Sequence, residues 1–298
     1  MNITHYDLFA GIGGFSLALE EVFNEAKINH IFCEWAEFPA AVLKKHWPNG
    51  IFYGDIADLV TDTNRQRYQD GIAKTETARR PDLCSGTGGD KNQALTILTG
   101  GFPCQPFSHA GRRKGTADDR YQWPNMFQVI QNVKPDWVIA ENVRGLVTWN
   151  NGMVLEQVCT DLEGQNYEVQ PFIIPACAVN APHRRDRVWI IAHAKNKRNR
   201  AGFREIQGED GEVPKRNDNA KPCYPDWRRD WREVALATCN ARMDDGLSRE
   251  VDGISYSFAK WRNESIKAYG NAIVPQVAME IFRAIKMTVE LNYTISCK

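Results

Sequence analysis

Tyr6-Asp-Leu-Phe-Ala-Gly-Ile-Gly-Gly-Phe15 starts as a short apolar strand, turns on Gly11, Gly13 and Gly14, and passes into a helical period over 15–23 through Leu17, Leu19, Val22 and Phe23. Glycines at a strand-to-helix turn let the backbone come close to a ligand. About two dozen residues on, His30-Ile-Phe-Cys-Glu-Trp35 reads as a second strand ending in an acid. In nucleotide-binding α/β sheets an acid there accepts the ribose hydroxyls, and Trp35 beside it offers a face to a purine. A third strand, 51–53, runs into Gly54-Asp55-Ile56 and puts another carboxylate at the same sheet edge. Ligand-capable residues at three successive strand ends are a nucleoside signal. The glycine spacing is not G-x-G-x-x-G and no P-loop is present, so adenosine without phosphates fits better than NAD or ATP.

The same alternation continues. An apolar run, 94–98, leads into Thr99-Gly-Gly-Phe-Pro-Cys-Gln-Pro-Phe-Ser108, which reads as a buried strand ending in a rigid turn that exposes the Cys104 thiol. By itself this reads equally as a nucleophile or as a small buried cysteine in a tight turn. A helix is expected over 121–133, a fifth strand over 136–140 ending in Glu141-Asn-Val-Arg144, a helix over 153–162, and strands over 167–174 and 187–192. Pro182-His-Arg-Arg-Asp-Arg187 forms an anion- and carbonyl-binding cluster before the last strand. Strands alternating with helices predict an α/β fold, a doubly wound, mixed but mostly parallel seven-stranded sheet. Periodicity is lost over 195–260, where Phe203, Tyr224, Trp227 and Trp231 lie among cations, and a small second domain or a set of recognition loops is expected there rather than more of the sheet. Residues 61–92 read as a polar excursion, and an apolar-faced helix returns at 277–289.

Composition excludes several classes. With 298 residues, 43% hydrophobic and 25% charged, the chain is globular, and no apolar run reaches membrane-span length. No signal-peptide layout opens it, so a cytoplasmic protein is expected. The eight cysteines contain no C-x-x-C pair, which predicts reduced thiols and no metal site. Net charge is zero, but cations concentrate between Lys195 and Arg232, the local basic surface that phosphate contacts need.

Taken together, these segments resemble the cytosine-5 DNA methyltransferase family. DLFAGIGGF resembles its cofactor-binding opening motif, GFPCQPFS its nucleophile motif, ENV its glutamate motif, HRRDR its Q-x-R-x-R motif and YGNAIVPQ its closing motif, in family order. The resemblance covers the chain except 61–92 and most of 195–260. It implies the S-adenosylmethionine-dependent methyltransferase fold and a methyl transfer to C5 of a flipped cytosine in duplex DNA. Cys104 is implied to attack C6, Glu141 to neutralise charge at N3, and Arg187, with Arg185 in support, to hold the O2 edge and the neighbouring loop. Base flipping follows because a stacked base is out of reach. Phe9, Gly11, Gly13, Gly14, Glu34, Trp35, Asp55, Ile56, Pro103 and Asn271 are implied to bind S-adenosylmethionine, released as S-adenosylhomocysteine. Gln105, Ser108, Arg112, Arg113, Lys114 and Arg120 fall in or beside the family's mobile loop and are implied DNA or closure contacts.

The implied organisation is a catalytic domain from 1–194 plus 262–298, a target-recognition region at 195–261, and an insertion at 61–92 with no assigned role. His183 replaces the usual glutamine of Q-x-R-x-R, and the short recognition region lacks the Thr-Leu pair that often marks it. The compact size resembles phage and prophage members. A monomer is expected, with duplex DNA as partner and a cognate restriction endonuclease in the host system. Two alternatives share the motifs: a tRNA cytosine-5 methyltransferase, and a catalytically silent nucleic-acid-binding relative.

Overall fold

The computed structural model describes residues 1–61, 94–103, 121–195, 250–251, 254–255 and 257–296. In chain order the elements are β1 (Asn2–Leu8), α1 (Gly14–Val22), β2 (Lys27–Cys33), α2 (Glu37–His46), β3 (Ile51–Tyr53), α3 (Ala57–Val60) and β4 (Ala94–Gly100). There follow α4 (Trp123–Val133), β5 (Trp137–Val143), α5 (Gly145–Thr148), α6 (Met153–Gly164), β6 (Tyr167–Ile174) and β7 (Arg187–Ala194). A short ribbon, β8 (Glu250–Val251) with β9 (Ile254–Ser255), precedes α7 (Phe258–Asn271) and α8 (Pro275–Ser296).

The main sheet has the order β3-β2-β1-β4-β5-β7-β6. β1 pairs in parallel with β2 on one side and β4 on the other, and β7 runs antiparallel to both β5 and β6. The doubly wound, mostly parallel seven-stranded sheet expected from the alternation is therefore present. The reversal from β1 to β4 is a switch point, where the carboxyl ends of neighbouring parallel strands open a crevice for ligands.

Alternating strand residues feed two apolar layers. Tyr6, Leu8, Leu98, Val138, Ala140, Val188 and Ile190 join α4 and α6, while Ile3, Ile97, Ile139 and Trp189 join α1 and α8. On α1 the buried residues Phe15, Ala18, Leu19 and Val22 recur at helical spacing, and each large one stabilises the layer by about 1.5–3 kcal/mol. Val277, Ala278, Ile281, Phe282 and Ile285 of α8 cover that face, and Lys286 Nζ donates to the Val22 carbonyl at 3.1 Å. The first and last described helices thus share one layer.

Four described helices, α2, α3, α5 and α7, go beyond what the pattern predicts, and α2 and α7 are the longer two. α2 keeps Pro39 in its first turn, where no donor is lost, and buries Phe38, Ala41, Val42 and Leu43. Phe38, Ala41 and Val42 pack against Trp261 and Ala268 of α7, so α7 runs across the boundary drawn at 261/262. Among the described residues Cys33, Cys159 and Cys177 are free thiols. No described helix is long and apolar enough to cross a membrane.

Candidate active site

The β1–α1 turn is built from unusual backbone. Phe9 and Gly11 take φ of 53° and 55°, and Gly13 caps α1 at φ 84°. A Cβ on Gly13 would lie 2.5 Å from the Trp47 ring, and one on Gly14 would lie 2.7 Å from Ile273 Cγ1. Both positions therefore need glycine, the first for its left-handed angle and the second for the close approach of the segment entering α8. Phe9 bears the same backbone cost without that freedom, the kind of local strain found where a turn is shaped for a ligand.

Glu34 holds this turn. Its Oε2 accepts from the Gly11 N–H at 2.8 Å and its Oε1 from the Ala36 N–H at 2.8 Å. Its own N–H donates to the Tyr53 carbonyl at 3.0 Å, which aligns the ends of β1, β2 and β3. Burial raises the Glu34 carboxyl, opposed by those backbone donors. Trp35 next to it is 83% exposed, a free face for stacking. Asp55 is also exposed and its Oδ1 accepts from the Ala57 N–H at 3.0 Å. Ile56 is buried. A carboxylate for a diol, an exposed indole and a second carboxylate, around a turn with no phosphate cradle, fit a nucleoside.

The second half of the site lies at the ends of β4, β5 and β7. Glu141 is nearly buried, and its Oε1 stands 2.9 Å from Arg187 Nε. Antiparallel register sets Val143 opposite Arg187 and Glu141 opposite Trp189. Burial pushes the Glu141 carboxyl up to about 7 even though Arg187 and Arg185 pull it down. A carboxyl poised there both holds and gives up a proton near neutral pH. A Cβ on Gly101 would stand 3.4 Å from Glu141 Oε2, an ordinary contact distance, so the acid lies beside the chain that leads to Cys104.

Arg185 does a different job from Arg187. Its guanidinium donates to the Gly270 carbonyl at 2.8 Å and the Ala272 carbonyl at 2.7 Å, the two residues flanking Asn271. Its backbone sits at φ 36°, and burial lowers its basicity. Asn271 itself is exposed at the end of α7. Asp186 is paired with Arg184 and Arg144 at 3.0 and 2.9 Å, and His183 is exposed.

Asn142, unassigned from sequence, has a definite role in this geometry. It is buried, and its Nδ2 donates to the Phe102 carbonyl at 3.1 Å, anchoring the segment that ends at Pro103. Its place inside the ENV motif was the available signal. Cys104, Gln105, Ser108, Arg112, Arg113, Lys114 and Arg120 lie outside the described residues, as do nearly all of 61–92 and most of 195–261. The structure brings Phe9, Gly11 and Glu34 into one hydrogen-bonded turn, and Glu141, Arg187 and Gly101 into one corner.

The strand order, the antiparallel β7 and the strand-end carboxylates define the S-adenosylmethionine-dependent methyltransferase class of fold. The family model of C-5 cytosine-specific DNA methylase matches residues 3–253, and the chain belongs to that family. Curated relatives include the Type II methyltransferase M.AplI of Arthrospira platensis, 32% identical over 187 residues that make up 63% of this chain and 44% of that protein. M.AluI of Cellulosimicrobium cellulans is 33% identical over 229 residues, 72% of this chain and 38% of that protein. The chain thus spans less than half the length of these relatives. Among solved structures, S. pombe Dnmt2 methyltransferase aligns with 70% of this chain and 58% of its own at 21% identity and a TM-score of 0.44. A Spodoptera frugiperda DNMT2 mutant aligns with 65% and 50% at 19% identity and a TM-score of 0.46.

Proposed function

We propose that the protein methylates C5 of cytosine in duplex DNA, with Cys104 as nucleophile and Glu141 as the group that handles the proton at N3. The observation that carries this reading is the Glu141–Arg187 pair, 2.9 Å apart, with a carboxyl pushed up to about 7 and Gly101 of the Cys104-bearing segment against it.

Cytosine C5 is too poor a nucleophile to be methylated directly. Addition of the Cys104 thiolate to C6 makes C5 part of an enamine, provided the charge reaching N3 is neutralised. Glu141 in its acid form donates a hydrogen bond or the proton itself to N3. Arg187 holds Glu141 in place and offers its remaining N–H groups to O2. S-adenosylmethionine, held by Phe9, Gly11, Gly13, Gly14, Glu34, Trp35, Asp55, Ile56, Pro103 and Asn271, supplies the methyl group. Loss of the C5 proton to a base then expels the thiolate and restores the aromatic ring. The Cys104 thiol must ionise to act, and the Arg185 and Arg187 charges favour the thiolate. The corner is enclosed by β4, β5 and β7, so the base enters it flipped out of the duplex.

In this reading 1–194 with α7 and α8 form the catalytic unit, and the chain between 195 and the start of α7 reads the target sequence. Gln105, Ser108, Arg112, Arg113, Lys114 and Arg120 close on DNA, and a cognate endonuclease recognises the same site. The test is Cys104→Ser. It should keep S-adenosylhomocysteine binding within about twofold while abolishing both tritiated methyl transfer to duplex DNA and covalent trapping on 5-fluorocytosine DNA. Trapping by the serine protein refutes the nucleophile, and transfer by the wild type to tRNA but not to DNA refutes the substrate.

A further inference from the structure

The apolar layer between α1 and the sheet contains a polar stripe that the proposed chemistry does not use. Register sets His5 on β1 beside His30 on β2, and Asp7 on β1 beside Thr99 on β4. Ser16 of α1 joins them: His5, Asp7, Ser16 and Thr99 have no accessible surface, and His30 has 6%. Burying such groups without partners costs about 1–3 kcal/mol each, and here every one is bonded.

The bonds form one connected network, in which Ser16 Oγ also lies 3.4 Å from His5 Nδ1. Glu20 Oε1, on the outer side of α1, lies 3.2 Å from His30 Nε2, and it also accepts from Trp47 Nε1 at 2.9 Å. His30 Nδ1 lies 3.0 Å from His5 Nδ1, and His5 Nε2 lies 2.9 Å from Thr99 Oγ1. Thr99 Oγ1 lies 3.0 Å from Asp7 Oδ1, while Ser16 Oγ donates to Asp7 Oδ2 at 2.7 Å.

Donor and acceptor rules fix how the protons sit. The Glu20 carboxylate only accepts, so His30 Nε2 carries a proton. The facing Nδ1 atoms of His30 and His5 share one proton between them. Two arrangements with the same proton count satisfy every link from Glu20 to Asp7. In one, Asp7 is ionised and His30 carries both ring protons. In the other, Asp7 holds a proton and both imidazoles are neutral. Passing from the first to the second moves three protons one place each: from His30 Nδ1 to His5 Nδ1, from His5 Nε2 to Thr99 Oγ1, and from Thr99 Oγ1 to Asp7 Oδ1. Burial pushes the Asp7 carboxyl up to about 7, which favours the neutral arrangement, while the His5 imidazole, held well below its ordinary value, is neutral in both.

The Thr99 hydroxyl is the link that must accept and donate at once, in either direction. It is also the crossing point of the two halves of the site. Asp7 stands two residues before Phe9, where the cofactor turn begins, and Thr99 stands two residues before Gly101, which lies beside Glu141. We propose that Thr99, bonded between His5 and Asp7, is a positioning residue that locks the 9–13 turn and the 100–103 segment into one rigid unit. Through that lock the nucleoside pocket and the corner around Glu141 keep a fixed separation. The catalytic meaning of the lock rests on the methyltransferase reading, but the coupling itself does not.

The experiment is amide hydrogen exchange on the full chain, measured well below each variant's melting point, with S-adenosylhomocysteine titrated in parallel. Thr99→Val keeps the shape and removes the hydroxyl. It should speed exchange at least about tenfold in both 9–13 and 100–102, leave β6 and β7 unchanged, and raise the Kd for S-adenosylhomocysteine about fivefold or more. Thr99→Ser should restore both readouts to within about twofold. Faster exchange at 100–102 alone, or a uniform increase across the sheet, overturns the proposal. If Thr99→Val fails to fold, Ser16→Ala reaches the same carboxylate from α1 and must loosen 100–102 on the distant strand; protection left intact there overturns the lock equally. A wild type that binds no S-adenosylhomocysteine refutes the cofactor reading of the turn, and the exchange pattern still decides the coupling.

Discussion

Replacing Glu141 with glutamine removes one buried titration and leaves the shape of the site intact. The carboxyl lies at about 7 in the folded protein against an ordinary value of 4.5, because burial outweighs the pull of Arg187 and Arg185. Between those two pH values the folded state binds more protons than the unfolded chain, so stability must fall as pH rises. The contribution is complete below 4.5 and lost once pH has passed 7. At about 1.4 kcal/mol per pH unit this amounts to about 3 kcal/mol, most of which falls between pH 5 and pH 8. The Glu141→Gln protein lacks the slope. Arg187 is left without a counter-charge in the variant, but that cost is the same at both pH values and cancels. Asp7, also raised to about 7 by burial, titrates in both proteins and cancels too. Urea denaturation of both proteins at pH 5 and pH 8 reads the difference directly. The variant should gain about 2–3 kcal/mol on the wild type over that interval. A gap that stays constant, or widens in favour of the wild type at pH 8, means the ion pair outweighs burial, and the acid role of Glu141 falls with it.

Three further substitutions probe the rest of the site. Glu34→Gln weakens the charge-assisted grip on the Gly11 and Ala36 amides and should raise the Kd for S-adenosylhomocysteine about tenfold, read by calorimetric titration. Gly13→Ala meets both a left-handed backbone and the Trp47 ring, and should cost at least about 1–2 kcal/mol of stability in urea. Asn142→Ala leaves the Phe102 carbonyl unpaired, at about 1–3 kcal/mol; single-turnover methyl transfer should slow about tenfold or more while cofactor affinity holds.

The sheet was legible because its strands are apolar runs ending in glycine or acid, and because each strand end repeats the same chemistry. The Tyr6–Phe15 turn, Glu34 and Glu141 stand where alternation puts them. α2 and α7 were harder to see. α2 opens through a proline and closes on Lys44, Lys45 and His46, and α7 is mostly polar, so the few apolar residues of each make sense only against the other. The His5–His30–Asp7–Thr99 stripe was hidden for a different reason. In sequence these are single polar residues in three strands, and only parallel register brings them together. In sequence Arg185 reads only as support for Arg187, and a two-residue step sends it to the carbonyls around Asn271 while Arg187 goes to Glu141.

The shared layer of α1 and α8 also bears on how the chain is made. Lys286 reaches Val22 across 264 positions of sequence, and the apolar face of α1 is covered by residues from 277 onward. At about 5–20 residues per second, a ribosome leaves that face bare for roughly ten seconds to a minute. The nascent protein therefore carries the β1–α1 turn beside an uncovered apolar helix face until α8 has been made, and the docking of α8 is the step that shields that face from aggregation.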